Sequence, residues 1–157
     1  MKKNLWILTE ESVHLIEIKK IVRHSSLEHN LNIEFSKASI KPVVKNNIFQ
    51  HQYYLDGFIS PKVNNIFINS VGPSKINPFV DFIVFLKEKK PKPKDLFKDC
   101  IFIIEATKTN TYDSRNTAMG QRSSKFVHLS YYYENSLCKA QPVMYYTHEQ
   151  AEDDHDW

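Results

Sequence analysis

Three charged side chains stand out because of the runs that carry them. Asp81 opens the apolar run VDFIVFL, Glu105 lies near the end of a second one, CIFIIEATK, and Lys108 follows three residues later. Side chains alternate faces along a strand, so a lone acid in such a run sits at a strand end near solvent or has a partner. The two acids are 24 residues apart, a separation that a hairpin of the two runs closes, setting them side by side. Two carboxylates and the backbone carbonyl of Ala106 then make an all-oxygen donor set for a hard cation such as Mg²⁺. Positions remain on such an ion for water and a phosphate. The plainer alternative is that Asp81 starts its strand by bonding backbone and Glu105 pairs with a lysine.

A lysine beyond the second acid can activate an attacking water or stabilise developing negative charge. Lys108 holds that place, but three residues separate it from Glu105, and a regular strand sets such a pair on opposite faces. Thr107 has the matching parity. Three arrangements stay open: a bulge restores the geometry, Thr107 takes the slot while Lys108 reaches round, or the site is degenerate.

The elements that must position these residues follow from patterning. Thr9 is placed to cap a helix running to about Arg23. Val13, Ile16, Ile18 and Ile21 fall roughly on one side of it, with Glu10 and Glu11 in the first turn and Lys19, Lys20 and Arg23 in the last. Its Glu17 faces either a metal site or solvent. From Leu31 to Ile68, short β-branched and aromatic pieces separated by Pro42, Asp56-Gly57 and Pro61 predict antiparallel strands and loops. Asn64-Asn65 and Gly72-Pro73 read as turns, which leaves 66–71 as the strand before the central one.

VDFIVFL is nearly continuous in apolar residues, the form of a strand covered on both faces. Pro91 and Pro93 exclude regular structure across the connector, whose Lys87 to Lys98 segment holds six lysines. CIFIIEATK is the second buried strand. Asp113 or Ser114 caps a helix to about Leu129, residues Tyr131 to Cys138 form a break, and QPVMYYTHE is a further strand. On the helix after Asp113, Thr117, Gln121 and Lys125 share one face, and Arg115 and Arg122 share another, donors suited to phosphate oxygens.

Taken together, Pro78-Phe79-Val80-Asp81 followed by Ile104-Glu105-Ala106-Thr107-Lys108 resembles the core of the PD-(D/E)xK nuclease superfamily and, more narrowly, type II restriction endonucleases. The resemblance covers residues 66 to about 147. It differs in two places: the proline stands three residues before Asp81, and the lysine falls one place late. It implies an α/β (α+β) fold with a restriction-endonuclease-like core, a central mixed sheet flanked by helices. It also implies Mg²⁺-dependent cleavage of double-stranded DNA by a homodimer. Asp81, Glu105 and Ala106 would bind metal, Asp81, Glu105 and Lys108 would act in catalysis, and Arg115, Asn116, Gln121, Arg122 and Lys125 would face DNA. The rival expectations are a catalytically inactive nuclease-like subunit that binds DNA or protein, and the catalytic part of a longer restriction enzyme.

Composition bounds these readings. The 157 residues fit one nuclease-like domain, with residues 1–30 as an N-terminal helix region, 66–147 as the catalytic core and 148–157 as an acidic tail. Net charge is +3, a mild basic bias that permits nucleic-acid binding. Three glycines argue against a glycine-rich phosphate loop, and two cysteines, Cys100 and Cys138, cannot form a disulfide framework. No run reaches the roughly 18 residues of a membrane span, and the start lacks a secretory pattern. The expectation is a cytoplasmic protein with no membrane association and no organic cofactor. His148 and His155, among the acids of the last ten residues, suggest metal ligands but fit a solvated tail better. Tyr131, Tyr132 and Tyr133 suit packing better than base stacking.

Overall fold

The computed structural model describes residues 1–9, 13–70, 81–92, 99–110 and 141–149. Among them the chain forms β1 (Lys3–Thr9), α1 (Leu15–Glu28), β2 (Glu34–Lys45), β3 (Ile48–Ile59), β4 (Val63–Ser70), β5 (Phe82–Lys87), β6 (Phe102–Asn110) and β7 (Gln141–Glu149). The strands make one mixed sheet in the order β2-β3-β4-β1-β5-β6-β7. β1 is parallel to β4 and antiparallel to β5, β6 is antiparallel to β5, and β7 is parallel to β6. This is an α+β arrangement.

The N-terminus departs from expectation. Thr9 does not cap a helix; it ends β1, fully buried, and β1 lies between β4 and β5 near the middle of the sheet. The short run LWIL is hydrophobic throughout, as a strand covered on both faces must be, and its length had hidden it in front of a strong helical pattern. α1 starts after His14, without a side-chain cap, and continues beyond Arg23, so its last turn holds no basic residue. Its packed side is Ile18, Ile21, Val22 and Ser25, while Ile16 points outward, 71% exposed. The residues four apart, 18 and 22, and three apart, 18 and 21, set that stripe.

The β2–β3 hairpin also corrects the reading. Pro42 and Asp56-Gly57 do not end strands; they lie inside β2 and β3. β2 is the edge strand, where a missing N–H costs no ladder bond, and the ladder shifts register between Pro42 and Val44. A second shift, between Phe35 and Ser39, lies against Gly57, whose φ of 79° and close approach to the carbonyl oxygens of Ser36 and Lys37 leave no room for a Cβ. The turn is Asn46-Asn47, with φ of 52° and 59°, the two left-handed residues of a two-residue hairpin. Asn64-Asn65, expected as a turn, lies within β4.

Strand alternation divides the buried residues into two sets. Leu5 and Ile7 of β1, Ile66 and Ile68 of β4, Phe82 and Val84 of β5, and Phe102 and Ile104 of β6 pack with Ile18, Ile21 and Val22 of α1 in one cluster. Trp6, Leu8, Ile83, Phe85 and Ile103 occupy the alternate positions, on the other face, and are buried too. Both faces of the central strands are therefore shielded from water, which accounts for the unbroken apolar run of β5. Trp6 Nε1 donates to the carbonyl of Lys87 at 3.0 Å, fastening the far end of this second face.

Candidate acid-pair site

β5 and β6 pair antiparallel, with Phe82 opposite Ile104, Ile83 opposite Ile103 and Val84 opposite Phe102. These pairs end at Phe82 opposite Ile104, and Asp81 and Glu105 are the next residues on the two chains beyond that pair; a ladder continued one residue further would make them neighbours on one face. Asp81 is partly buried in the bend that leads into β5, whereas Glu105 is buried completely, 0% exposed. A sealed carboxylate costs several kcal/mol unless hydrogen bonds or a cation offset its lost hydration.

Alternation puts Glu105 on the face away from α1, because Phe102 and Ile104 pack toward the helix. Glu17, in the first turn of α1 and partly buried, thus belongs to the other side of the sheet. Of its two readings, the metal-facing one loses its support. Among the described residues no three His, Cys, Asp or Glu side chains gather as a metal-ligand set. The acid pair is a two-carboxylate arrangement, all oxygen, to which the Ala106 carbonyl is the next backbone acceptor along the chain.

β6 stays in unbroken register with β7 from Phe102 opposite Gln141 to Asn110 opposite Glu149. Ala106 stands opposite Tyr145, Thr107 opposite Tyr146 and Lys108 opposite Thr147, without a shift between Glu105 and Lys108. Of the three arrangements open for Lys108, the bulge is absent from the backbone ladder. Thr107 keeps the even spacing from Glu105.

The helix expected from Asp113 to about Leu129 lies outside the described residues, and with it Arg115, Asn116, Gln121, Arg122 and Lys125. Gly72-Pro73, Tyr131 to Tyr133, Cys138 and His155 also lie outside them. His148 does not belong to a tail: β7 continues through it to Glu149. Cys100 is buried, 4% exposed, as its apolar run implied. Of the connector's lysines, Lys87 approaches Asp99 at 3.5 Å across the base of the β5–β6 connection.

At the same end of the sheet stand two polar residues, Asn69, which sequence reasoning passed over, and Thr9, which it read only as a helix cap. Thr9 closes β1 opposite Phe82, and Asn69 stands opposite Leu8, which itself faces Ile83; both are buried. The Oδ1 of Asn69 is sealed from solvent and finds no hydrogen-bond partner among the described residues. A polar residue closing an apolar strand was the available signal, in WILT as in NIFIN. Comparison of the chain with protein-family models, with curated proteins and with solved structures finds no match. No described helix is long and apolar enough to cross a membrane.

Proposed function

We propose that the protein is a Mg²⁺-dependent endodeoxyribonuclease of restriction type, with a restriction-endonuclease-like core, acting as a homodimer on double-stranded DNA. The observation that supports this reading is the β5–β6 register, whose last pair, Phe82 opposite Ile104, leaves Asp81 and the buried Glu105 as the next residues along the two chains. Asp81, Glu105 and the Ala106 carbonyl would hold the ion. Bound there, Mg²⁺ supplies polarisation of the phosphoryl oxygen and a more acidic water. The protein's own work is then to fix the two carboxylates on a rigid ladder, to keep bulk water from Glu105, and to orient the attacking water. Lys108 or Thr107 fills that last role, and Arg115, Asn116, Gln121, Arg122 and Lys125 grip the backbone.

The test is nicking of supercoiled plasmid in Mg²⁺ and in EDTA by the wild type and by Asp81→Ala and Glu105→Gln. Each substitution is expected to abolish Mg²⁺-dependent nicking with the circular dichroism unchanged; full activity in either variant overturns the reading.

One observation favours a second reading, a nuclease-like subunit that binds DNA or protein without cutting. The ladder through Lys108 has no bulge to bring it to the side of Glu105. Salt-dependent duplex binding without metal-dependent nicking by the wild type would select it.

A further inference from the structure

We infer that the β2–β3 hairpin is a DNA-groove probe, its turn entering the major groove of the duplex whose backbone is presented to Asp81 and Glu105. The inference rests on the DNA-cleavage reading for the class of ligand, and on the hairpin's own geometry for the mode of contact.

The placement comes from the ladder. β3 pairs with β4 through Gln52 opposite Asn69, and β4 ends one residue later at Ser70. β3 nevertheless begins at Ile48, and its first residues are still paired with β2, Phe49 opposite Val44 and Ile48 opposite Lys45. Four residues therefore run on past the last β3–β4 partners, about 13 Å at roughly 3.4 Å per residue. Residues 44–51 are all exposed along this extension. A two-stranded ribbon fits a major groove about 12 Å wide and 8.5 Å deep. The two register shifts add twist to the ribbon, which helps it follow a groove.

The direction is equally specific. β3 is antiparallel to β4, so its turn leaves the sheet at the end where β4 and β1 finish and β5 begins. That is the end that carries Asp81 and Glu105. Three to four strand spacings separate β3 from β5 and β6, a lateral offset of about 14–19 Å at 4.8 Å per strand. Half a turn of duplex is about 17 Å, so one molecule of DNA can meet the turn and the acid pair together.

The chemistry of the ribbon matches a duplex better than a protein or a membrane. Between Glu34 and Asp56 there is no acidic residue, while Lys37, Lys41, Lys45 and His51 are present. Lys41 is held by Asp56 near the middle of the hairpin, and Lys45 stands exposed beside the turn. Asn46, Asn47 and Gln50 offer the amides that read base edges, and Val44, Ile48 and Phe49, 57%, 64% and 37% exposed, offer apolar contacts for thymine methyls. Phe49 meets His51 at a tilt and Tyr53 edge-on, with centroids 5.1 and 5.2 Å away.

The experiment measures binding of a fluorescein-labelled duplex of mixed sequence in EDTA, where cleavage is blocked, alongside plasmid nicking in Mg²⁺. Lys45→Ala is expected to lower the slope of log affinity against log salt by about one. The double substitution Ile48→Ser with Phe49→Ser is expected to weaken binding about tenfold or more. Both should reduce nicking at low enzyme concentration, with the fold intact by circular dichroism. In EDTA, Asp81→Ala should bind at least as tightly as the wild type, because it removes a negative charge from beside the phosphates. Unchanged binding by both ribbon variants overturns the inference and leaves the nuclease reading standing. Loss of binding in the ribbon variants together with full nicking by Asp81→Ala overturns the nuclease reading and leaves the ribbon as a DNA contact. Two results reject the ribbon's role in favour of another partner: no duplex binding by the wild type, or ribbon variants that change only the sedimentation coefficient or the retention on anionic vesicles.

Discussion

The centre of the sheet and the β2–β3 hairpin are built from the same kinds of residue and put them to opposite uses. In residues 5–9 of β1, 82–85 of β5 and 102–105 of β6, side chains on both faces are withdrawn from water, down to Ile7, Ile83, Phe85, Ile104 and Glu105 at 0% exposure. In the hairpin, Leu55 reaches the core and Phe35, Ile40, Tyr53 and Phe58 pack against it, but toward the tip Val44 and Ile48 are more than half exposed and the strands are held by backbone pairing and a tight turn. The contrast teaches that burial fixes the centre of the sheet while backbone geometry fixes the tip of the hairpin. A rigid setting is what a carboxylate site needs, and an exposed ribbon can be altered without disturbing it. Substitutions at the centre of the sheet and at the exposed tip, residues 44–51, should therefore separate into effects on stability and effects on binding.

The largest difference is expected from apolar truncation. Phe85→Ala removes a fully buried ring and should cost about 3–5 kcal/mol of folding free energy, read as a lower urea midpoint. Ile48→Ser removes a side chain of the same character from an exposed site and should stay within about 0.5 kcal/mol. If the two cost the same, the ribbon packs against something, and the division between the regions is broken.

An intermediate effect tests whether backbone geometry, not burial, fixes the hairpin. Gly57→Ala places a Cβ against the carbonyl oxygens of Ser36 and Lys37 at a φ of 79°, and should cost about 1–3 kcal/mol. The urea midpoint reads the whole fold; proteolysis within residues 34–59 reads the hairpin alone and should show the larger change. A Gly57→Ala chain as resistant as the wild type would mean that the kink is dispensable.

How much of this was legible in the sequence follows the same division. VDFIVFL and CIFIIEATK announced buried strands because apolar continuity is the direct imprint of burial on both faces, and the two acids stood out against it; QPVMYYTHE was legible too. NLWILT carries the same imprint in fewer residues, and the helical stripe after it, with Thr9 as a plausible cap, drew the boundary to the wrong side. In the hairpin the local signals competed. Pro42 and Asp56-Gly57 read as breaks because proline and glycine usually are, but an edge strand tolerates the one and a bulge requires the other. Asn46-Asn47 and Asn64-Asn65 are the same dipeptide, and only the pairing of the flanking strands tells that the first turns and the second runs straight. The antiparallel pairing of the two runs could be inferred from the sequence; which side of the sheet Glu105 occupies relative to Glu17 needed the packing of α1.

The smallest effect concerns an ion pair that braces the ribbon. Lys41 Nζ donates to Asp56 Oδ2, and both side chains are half exposed. The hydrogen bond and the charge of Lys41 lower the Asp56 carboxyl below its ordinary value, and the same contact raises Lys41 above its own. A carboxyl lowered on folding lends stability above the ordinary carboxylate range and loses it as pH falls through the folded value. A lysine raised on folding lends stability below the ordinary lysine value and loses it as pH rises through the folded one. The brace is thus fully present between those limits and weakens only outside them, and salt screens it because both groups face solvent. An NMR titration of the Asp56 carboxyl carbon should show a midpoint below the usual carboxylate range, moving up toward it in Lys41→Ala and in high salt. A midpoint indifferent to both would mean that the strands alone, without the ion pair, set the shape of the hairpin.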